Sequence, residues 1–103
     1  MKIIIVGCGK VGFTLAEQLV KEKHDITVLD RKDIALKRVS ETLDLMTIRG
    51  SGVSAACLRE AGADSADVLV AATDSDEINM VCCLIAKNMG TGYTIARIRD
   101  PEY

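Results

Sequence analysis

A chain of 103 residues, 49% hydrophobic and 27% charged, has the size and balance of one globular domain. A net charge of −2, 3% aromatic residues and no tryptophan argue against both a basic phosphate-backbone surface and a base-stacking platform for single-stranded nucleic acid. No apolar run approaches the roughly 20 residues of a membrane-spanning helix, and the run Ile3 to Val6 is too short for a signal-peptide core, so a cytoplasmic protein with no direct membrane insertion is expected.

In chain order, Ile3 to Val6 is a β-branched run with no polar break, as in a strand buried on both faces. Val11, Leu15, Leu19 and Val20 then recur at helical spacing up to about Lys23. Ile26, Val28 and Leu29 make a second strand that ends at Asp30. Ile34, Leu36 and Val39 are the apolar stripe of a helix from about Asp33 to about Leu43. Leu45, Met46 and Ile48 read as strand three, and Ser54 as the cap of a short helix over Ala55 to Ala61. Val68 to Ala71 is strand four. Asp74 and Glu77 resemble a capping box that opens a helix from about Ser75 to Lys87, and Tyr93 to Ile98 is strand five.

Strands alternating with helices imply a parallel sheet covered on both faces. Right-handed crossovers then favour an α/β, Rossmann-like doubly wound sheet with strand order 3-2-1-4-5. No linker or repeat divides the chain, so residues 1–103 read as a single nucleotide-binding domain. Two turn residues stand apart. Lys23 occupies the place after the first helix where glycine is favoured, so a left-handed lysine is expected there. His24 reads as a solvated turn residue.

The stretch GCGKVG at residues 7–12 lies between strand one and helix one. Gly7 permits the tight turn, Gly9 lets backbone approach a pyrophosphate, and Gly12 lets the helix pack close to the strand. The helix N-terminus offers unpaired N–H groups to an anion. A P-loop is excluded, because Phe13 stands where that motif needs lysine. Lys10 either reaches a phosphate as a point charge or is a solvated first-turn lysine. Cys8 sits in the turn, where a helix N-terminus would lower its pKa. The other cysteines, Cys57, Cys82 and Cys83, have no C-x-x-C spacing, and neither a metal site nor a disulfide framework follows.

Asp30 lies 18 residues beyond Gly12, at the end of strand two. A carboxylate there accepts hydrogen bonds from the 2′- and 3′-hydroxyls of an adenosine ribose, or else caps helix two. It repels a 2′-phosphate, which favours NAD or a plain adenine nucleotide over NADP. Arg31 tempers that preference, since it can stack on adenine or pair with phosphate. The reversal of strand order between strands one and four places a crevice beyond their ends. Ala72, Thr73 and Asp74 would form its second wall. Thr73 is a hydrogen-bonding candidate and Asp74 a helix cap. Gly50, Ser51 and Gly52 follow strand three, where the two glycines permit close approach of an adenine or form a plain turn.

Together GCGKVG at 7–12, VLDRK at 28–32, IRGSG at 48–52, AATDSDEINM at 71–80 and ARIRDPEY at 96–103 resemble the N-terminal domain of regulators of potassium conductance. The likeness is nearest to the NAD-binding peripheral subunits of Trk-type potassium uptake systems, and it covers essentially the whole chain. It implies a cytoplasmic regulatory domain, peripheral to the inner face of the cell membrane, that binds NAD or NADH with ATP or ADP as competing ligands. Ligand exchange would reshape a homodimer or larger ring docked on a membrane-embedded potassium transporter subunit, with no reaction on the nucleotide. By position, the resemblance gives Gly7, Gly9, Lys10, Val11 and Gly12 to the phosphate turn and Asp30 and Arg31 to the ribose. It gives Ala72, Thr73 and Asp74 to the second wall, Arg97 to the phosphates and Glu102 to a dimer seam. Lys23 departs from the glycine common in the family. Many members continue past PEY into a crossover helix and a C-terminal domain, and a nucleotide-binding domain without these two parts is what the resemblance leads one to expect here.

The fourth helix is apolar almost all round from Ile78 to Ala86, more than packing on one sheet face needs, which suggests a two-fold mate. The enzyme alternative is the cofactor half of an NAD-dependent dehydrogenase. A single histidine in a turn and no Tyr-x-x-x-Lys pair speak against it.

Overall fold

The computed structural model describes residues 1–103. Its elements run β1 Lys2–Val6, α1 Lys10–Lys21, β2 Asp25–Asp30, α2 Asp33–Thr42, β3 Met46–Arg49, α3 Ala55–Glu60, β4 Val68–Ala71, α4 Asp76–Met89 and β5 Tyr93–Ala96. All strands are parallel, in the order β3-β2-β1-β4-β5. This is the doubly wound, Rossmann-like arrangement expected from the alternation of strands and helices.

The period-2 alternation of β1 sorts its side chains between two cores. Ile3 and Ile5 pack with Ala16 of α1 and with Ala35, Leu36 and Val39 of α2. Ile4 and Val6 pack on the opposite face with Leu58 of α3 and with Cys82, Cys83 and Ala86 of α4. With Ile4 and Ile5 fully buried, β1 is the centre of the molecule, and what leaves its C-terminal end is held on both sides. The Gly7 N–H donates to Leu29 O at 2.8 Å on the β2 side, and the Ala72 N–H donates to Val6 O at 2.7 Å on the β4 side.

Element ends and turn residues differ from expectation in several places, and β5 stops at Ala96 rather than Ile98. α1 stops at Lys21, and Lys23 takes the left-handed turn with φ +64°, as its position after the helix implied. His24, expected in solvent, is partly covered: its side chain is 24% exposed, and Nδ1 lies 3.4 Å from the Met1 amino group. α4 begins at Asp76 behind Ser75, whose Oγ accepts the Ile78 N–H at 3.2 Å. Asp74 is therefore not the cap. It stands one residue too early, its side chain is 94% exposed, and its carboxylate faces Arg97 at 3.9 Å. The short helix α3 is capped as expected, with Ser54 Oγ accepting the Cys57 N–H at 3.2 Å.

Candidate functional site

The site is built where the chain leaves β1 and turns into α1. Gly7 has φ +93°, a conformation L-residues rarely adopt. A Cβ on it would also stand 2.8 Å from Thr73 N and 2.9 Å from Thr73 Cα. The turn thus lies directly on the loop after β4. Gly12 is buried in the first turns of α1, where a Cβ would run into the Gly7 carbonyl. The close approach it permits is chiefly to this turn rather than to the strand.

α1 starts at Gly9 with no side-chain cap and no acidic residue in its first turn. Helix geometry leaves the N–H groups of Lys10, Val11 and Gly12 without intrahelical partners. α3 and α4 each have a serine cap, and α2 carries Asp33 in its first turn. α1 therefore presents the one helix N-terminus in the domain with neither device, and the macrodipole there favours an anion.

Asp30 stands beside this turn. Its Oδ2 accepts the Cys8 N–H at 2.6 Å and its Oδ1 accepts the Lys32 N–H at 2.8 Å. The carboxylate joins the glycine turn to the β2–α2 turn. The N-cap of α2 itself is Lys32, so Asp30 organises the turn before that helix rather than capping it. Each carboxylate oxygen retains acceptor capacity for a further donor.

These parts border a cleft of about 770 Å³ at the C-terminal ends of the strands. Gly7, Cys8, Gly9, Lys10 and Val11 line one side, Asp30 and Arg31 the next, then Gly50 and Ser51, and finally Ala72, Thr73, Asp74 and Arg97. Of the residues the sequence singled out for the site, Gly12 alone does not line the cleft, and Glu102 lies outside it. Thr73 is committed elsewhere: its hydroxyl lies 2.7 Å from Asn79 Oδ1 and its N–H donates to the same oxygen at 2.9 Å.

Gly52, the second glycine after strand three, borders the cleft as well, and sequence reasoning missed Lys32, Ile34, Arg38 and Ile78, which also border it. Arg38 matters most, because its Nη2 reaches the Cys8 carbonyl at 3.4 Å from α2. Lys10, Arg31, Lys32, Arg38 and Arg97 give the lining five cations against the carboxylates of Asp30 and Asp74, in a chain of net charge −2. Helical spacing held the missed signal: Arg38 is four residues after Ile34, on the face that turns toward the cleft.

The expectation for the Cys8 thiol reverses. Burial pushes its pKa up, and the Asp30 carboxylate adds to that, with Arg38 opposing. Its side chain is fully buried, and only its backbone serves the cleft with its N–H and carbonyl. Cys82, on the other face, is pushed up to about 12 by burial and then by Cys83.

Asp76 ties the cleft's second wall to the chain leaving β5. Its carboxylate accepts the Arg99 N–H at 3.0 Å and the Asp100 N–H at 2.9 Å. These two bonds, the Arg99 one first, hold its carboxyl below the ordinary value of 3.8. A depressed folded pKa contributes stability above the unfolded value, and that stability is lost as pH falls through the folded one. The Arg99 and Asp100 amide resonances are expected to stay constant down to about pH 4 and to move only in stronger acid. A midpoint above 3.8 in a two-dimensional NMR titration would contradict the arrangement.

The family model described as the TrkA-N domain matches residues 3–103. The Trk system potassium uptake protein TrkA of Haemophilus influenzae is 51% identical over the whole of this chain, which spans 23% of that protein's length. Among solved structures, a GsuK channel bound to NAD superposes with a TM-score of 0.85 at 23% identity, over 98% of this chain and 18% of that one. The Kef C-terminal domain of Shewanella denitrificans in its AMP-bound form gives 0.77 at 22% identity, over 92% of this chain and 57% of that one.

Proposed function

The chain belongs to the TrkA-N domain family, and from that premise we propose that it is a nucleotide-sensing regulatory domain of a Trk-type potassium transporter. It binds NAD or NADH in the cleft at the end of β1, with ATP or ADP competing for the same place. One observation carries this reading. The uncapped N-terminus of α1 and the Asp30 carboxylate meet at the same turn, joined by the 2.6 Å bond from Cys8 N–H. A diphosphate laid on the open N–H groups puts its adenosine ribose within the neighbourhood of that carboxylate. Arg97 and Lys10 neutralise phosphate charge, and Arg31, Gly50 and Ser51 flank the adenosine.

The domain acts without turning the nucleotide over. Binding shifts an equilibrium between conformations, which requires unequal affinity for the two. Calorimetric titration is expected to show saturable binding of NAD and of ATP, with each displacing the other. Asp30→Ala is expected to weaken NAD and AMP alike by about 1–3 kcal/mol, the scale of charge-assisted hydrogen bonds lost to the shared ribose. Equal affinity in the variant would leave Asp30 with only its turn-holding role. Steady consumption of NADH with small carbonyl substrates would favour the dehydrogenase alternative.

An exposed apolar face on α4 fits the regulatory role. Leu84 is 70% exposed and Val81 43% exposed on the side of α4 turned away from the sheet. Apolar side chains left open on one helix face suit a two-fold mate. Such a homodimer would sit on the membrane-embedded transporter subunit at the cytoplasmic face. Leu84→Glu is expected to convert a dimer into monomers in sedimentation velocity at micromolar concentration. A wild-type chain already monomeric under those conditions would remove this surface from the reading.

A further inference from the structure

Asn79 is fully buried in α4, yet it is polar and touches no charged group. All of its hydrogen-bonding capacity is spent on two segments. Oδ1 accepts from the Thr73 N–H at 2.9 Å and lies 2.7 Å from the Thr73 hydroxyl. Nδ2 donates to Thr73 O at 3.1 Å and to Arg97 O at 2.9 Å. The amide orientation is fixed by its partners. The Thr73 N–H can only donate and the two carbonyls can only accept, so a flipped amide would lose all three bonds. A leucine here would fill space without that cost. A buried amide with every position used specifies one arrangement instead.

That arrangement links the cleft to the way out of the domain. Thr73 is the residue on which Gly7 rests, and both border the cleft, as does Arg97. Beyond Arg97, whose N–H bonds Ala71 O at 2.9 Å, the chain has no strand partner. Residues 97–100 are held by side chains and carbonyls around the start of α4: Asn79 on Arg97 O, Asp76 on the Arg99 and Asp100 N–H groups, and the Asp74 carbonyl on the Arg99 guanidinium.

We propose that Asn79 is a positioning residue that couples the second wall of the cleft to the segment leaving β5, so that a nucleotide seated against Thr73 and Arg97 changes the order of residues 97–100. This rests on the nucleotide-binding reading of the cleft. The ligand does not touch Asn79. It acts on the Thr73 backbone and the Arg97 side chain, and the shared amide transmits any displacement of one to the other. Asp76 then passes it to Arg99 and Asp100.

The test uses NAD as probe and reads side-chain amide resonances. The chain holds two asparagines, Asn79 and Asn88, and one glutamine, Gln18, so three NH2 pairs report. The Asn79 pair is expected to exchange slowly with solvent. With NAD it should shift together with the Arg99 and Asp100 backbone amides, while exposed Asn88 and Gln18 stay in place. Asn79→Asp keeps the acceptor for Thr73 but sets an oxygen against Arg97 O. It is expected to weaken NAD at least tenfold and to abolish the NAD-dependent shift at Arg99 and Asp100. Asp76→Ala should keep NAD affinity within threefold while the Arg99 and Asp100 amides exchange at least tenfold faster. The inference is overturned if wild-type protein binds NAD with the Asn79 and Asp100 signals unmoved, or if Asn79→Asp retains both affinity and shift. The wild-type measurement decides even if that variant fails to fold. Wild-type protein that binds neither NAD nor AMP sinks the nucleotide reading itself, a different result from binding without coupling.

Discussion

Gly12→Ala is expected to destabilise the domain by about 3 kcal/mol or more, read as a lower midpoint in urea unfolding at unchanged slope. Propensity alone predicts the opposite sign, because alanine in a helix gains about 1 kcal/mol over glycine. Packing reverses it. The added methyl would occupy the place of the Gly7 carbonyl. That carbonyl belongs to backbone that cannot swing aside. The Gly7 N–H is tied to Leu29 O at 2.8 Å, its positive φ is set by the turn, and Thr73 backbone lies directly behind it. Either α1 lifts from the turn or the turn breaks from β2. Lifting uncovers the core around Ala16 and Ile5, where each large aliphatic side chain is worth about 1.5–3 kcal/mol of burial. Gain of stability in the variant would mean that α1 is not seated on the glycine turn, and the cleft described above would lose its floor.

Most of the architecture was legible because local signals agreed. The unbroken run Ile3 to Val6 marked a strand buried on both faces, and both cores do draw on it. The helix stripes were right only in part. Leu36 and Val39 are buried and Leu15, Leu19 and Val20 pack on the core, but Ile34 is 79% and Val11 43% exposed while Ala16 and Ala35 take buried places. The alternation of elements left few topologies. Errors fell where two similar residues compete over one or two positions. Asp74 and Ser75 are both good caps, and only the path of the chain chooses Ser75. The thiol of Cys8 depends on burial and on Asp30, both consequences of tertiary packing. The cleft's basic character was hidden for the same reason. Lys10, the pair Arg31 and Lys32, Arg38 and Arg97 come from separate stretches, so no long run of charge appears, and the fold assembles the patch. Asn79 was visible only as part of a motif. Its bonds to Thr73 and Arg97 span six and eighteen residues.

Gly9→Val separates binding from folding in the way Gly12→Ala does not. Gly9 has φ −77° and ψ −155°, an extended conformation open to any L-residue. A Cβ on it meets nothing within 4 Å. Gly9 contributes no cap bond that valine would remove, so stability should change by less than about 1 kcal/mol. The branched side chain instead enters the space above the N–H groups of Lys10 and Val11, where a phosphate must come within hydrogen-bond distance. Two methyl groups there hold an anion off by more than an ångström and leave it partly desolvated without donors. NAD and AMP are therefore both expected to lose at least a hundredfold in affinity, about 2.7 kcal/mol, in calorimetric titration. Because both ligands carry the adenosine-linked phosphate, a loss confined to NAD would move the critical contact to the nicotinamide half. Unaltered titration curves for both, with a normal unfolding midpoint, would show that the phosphates do not lie on this turn.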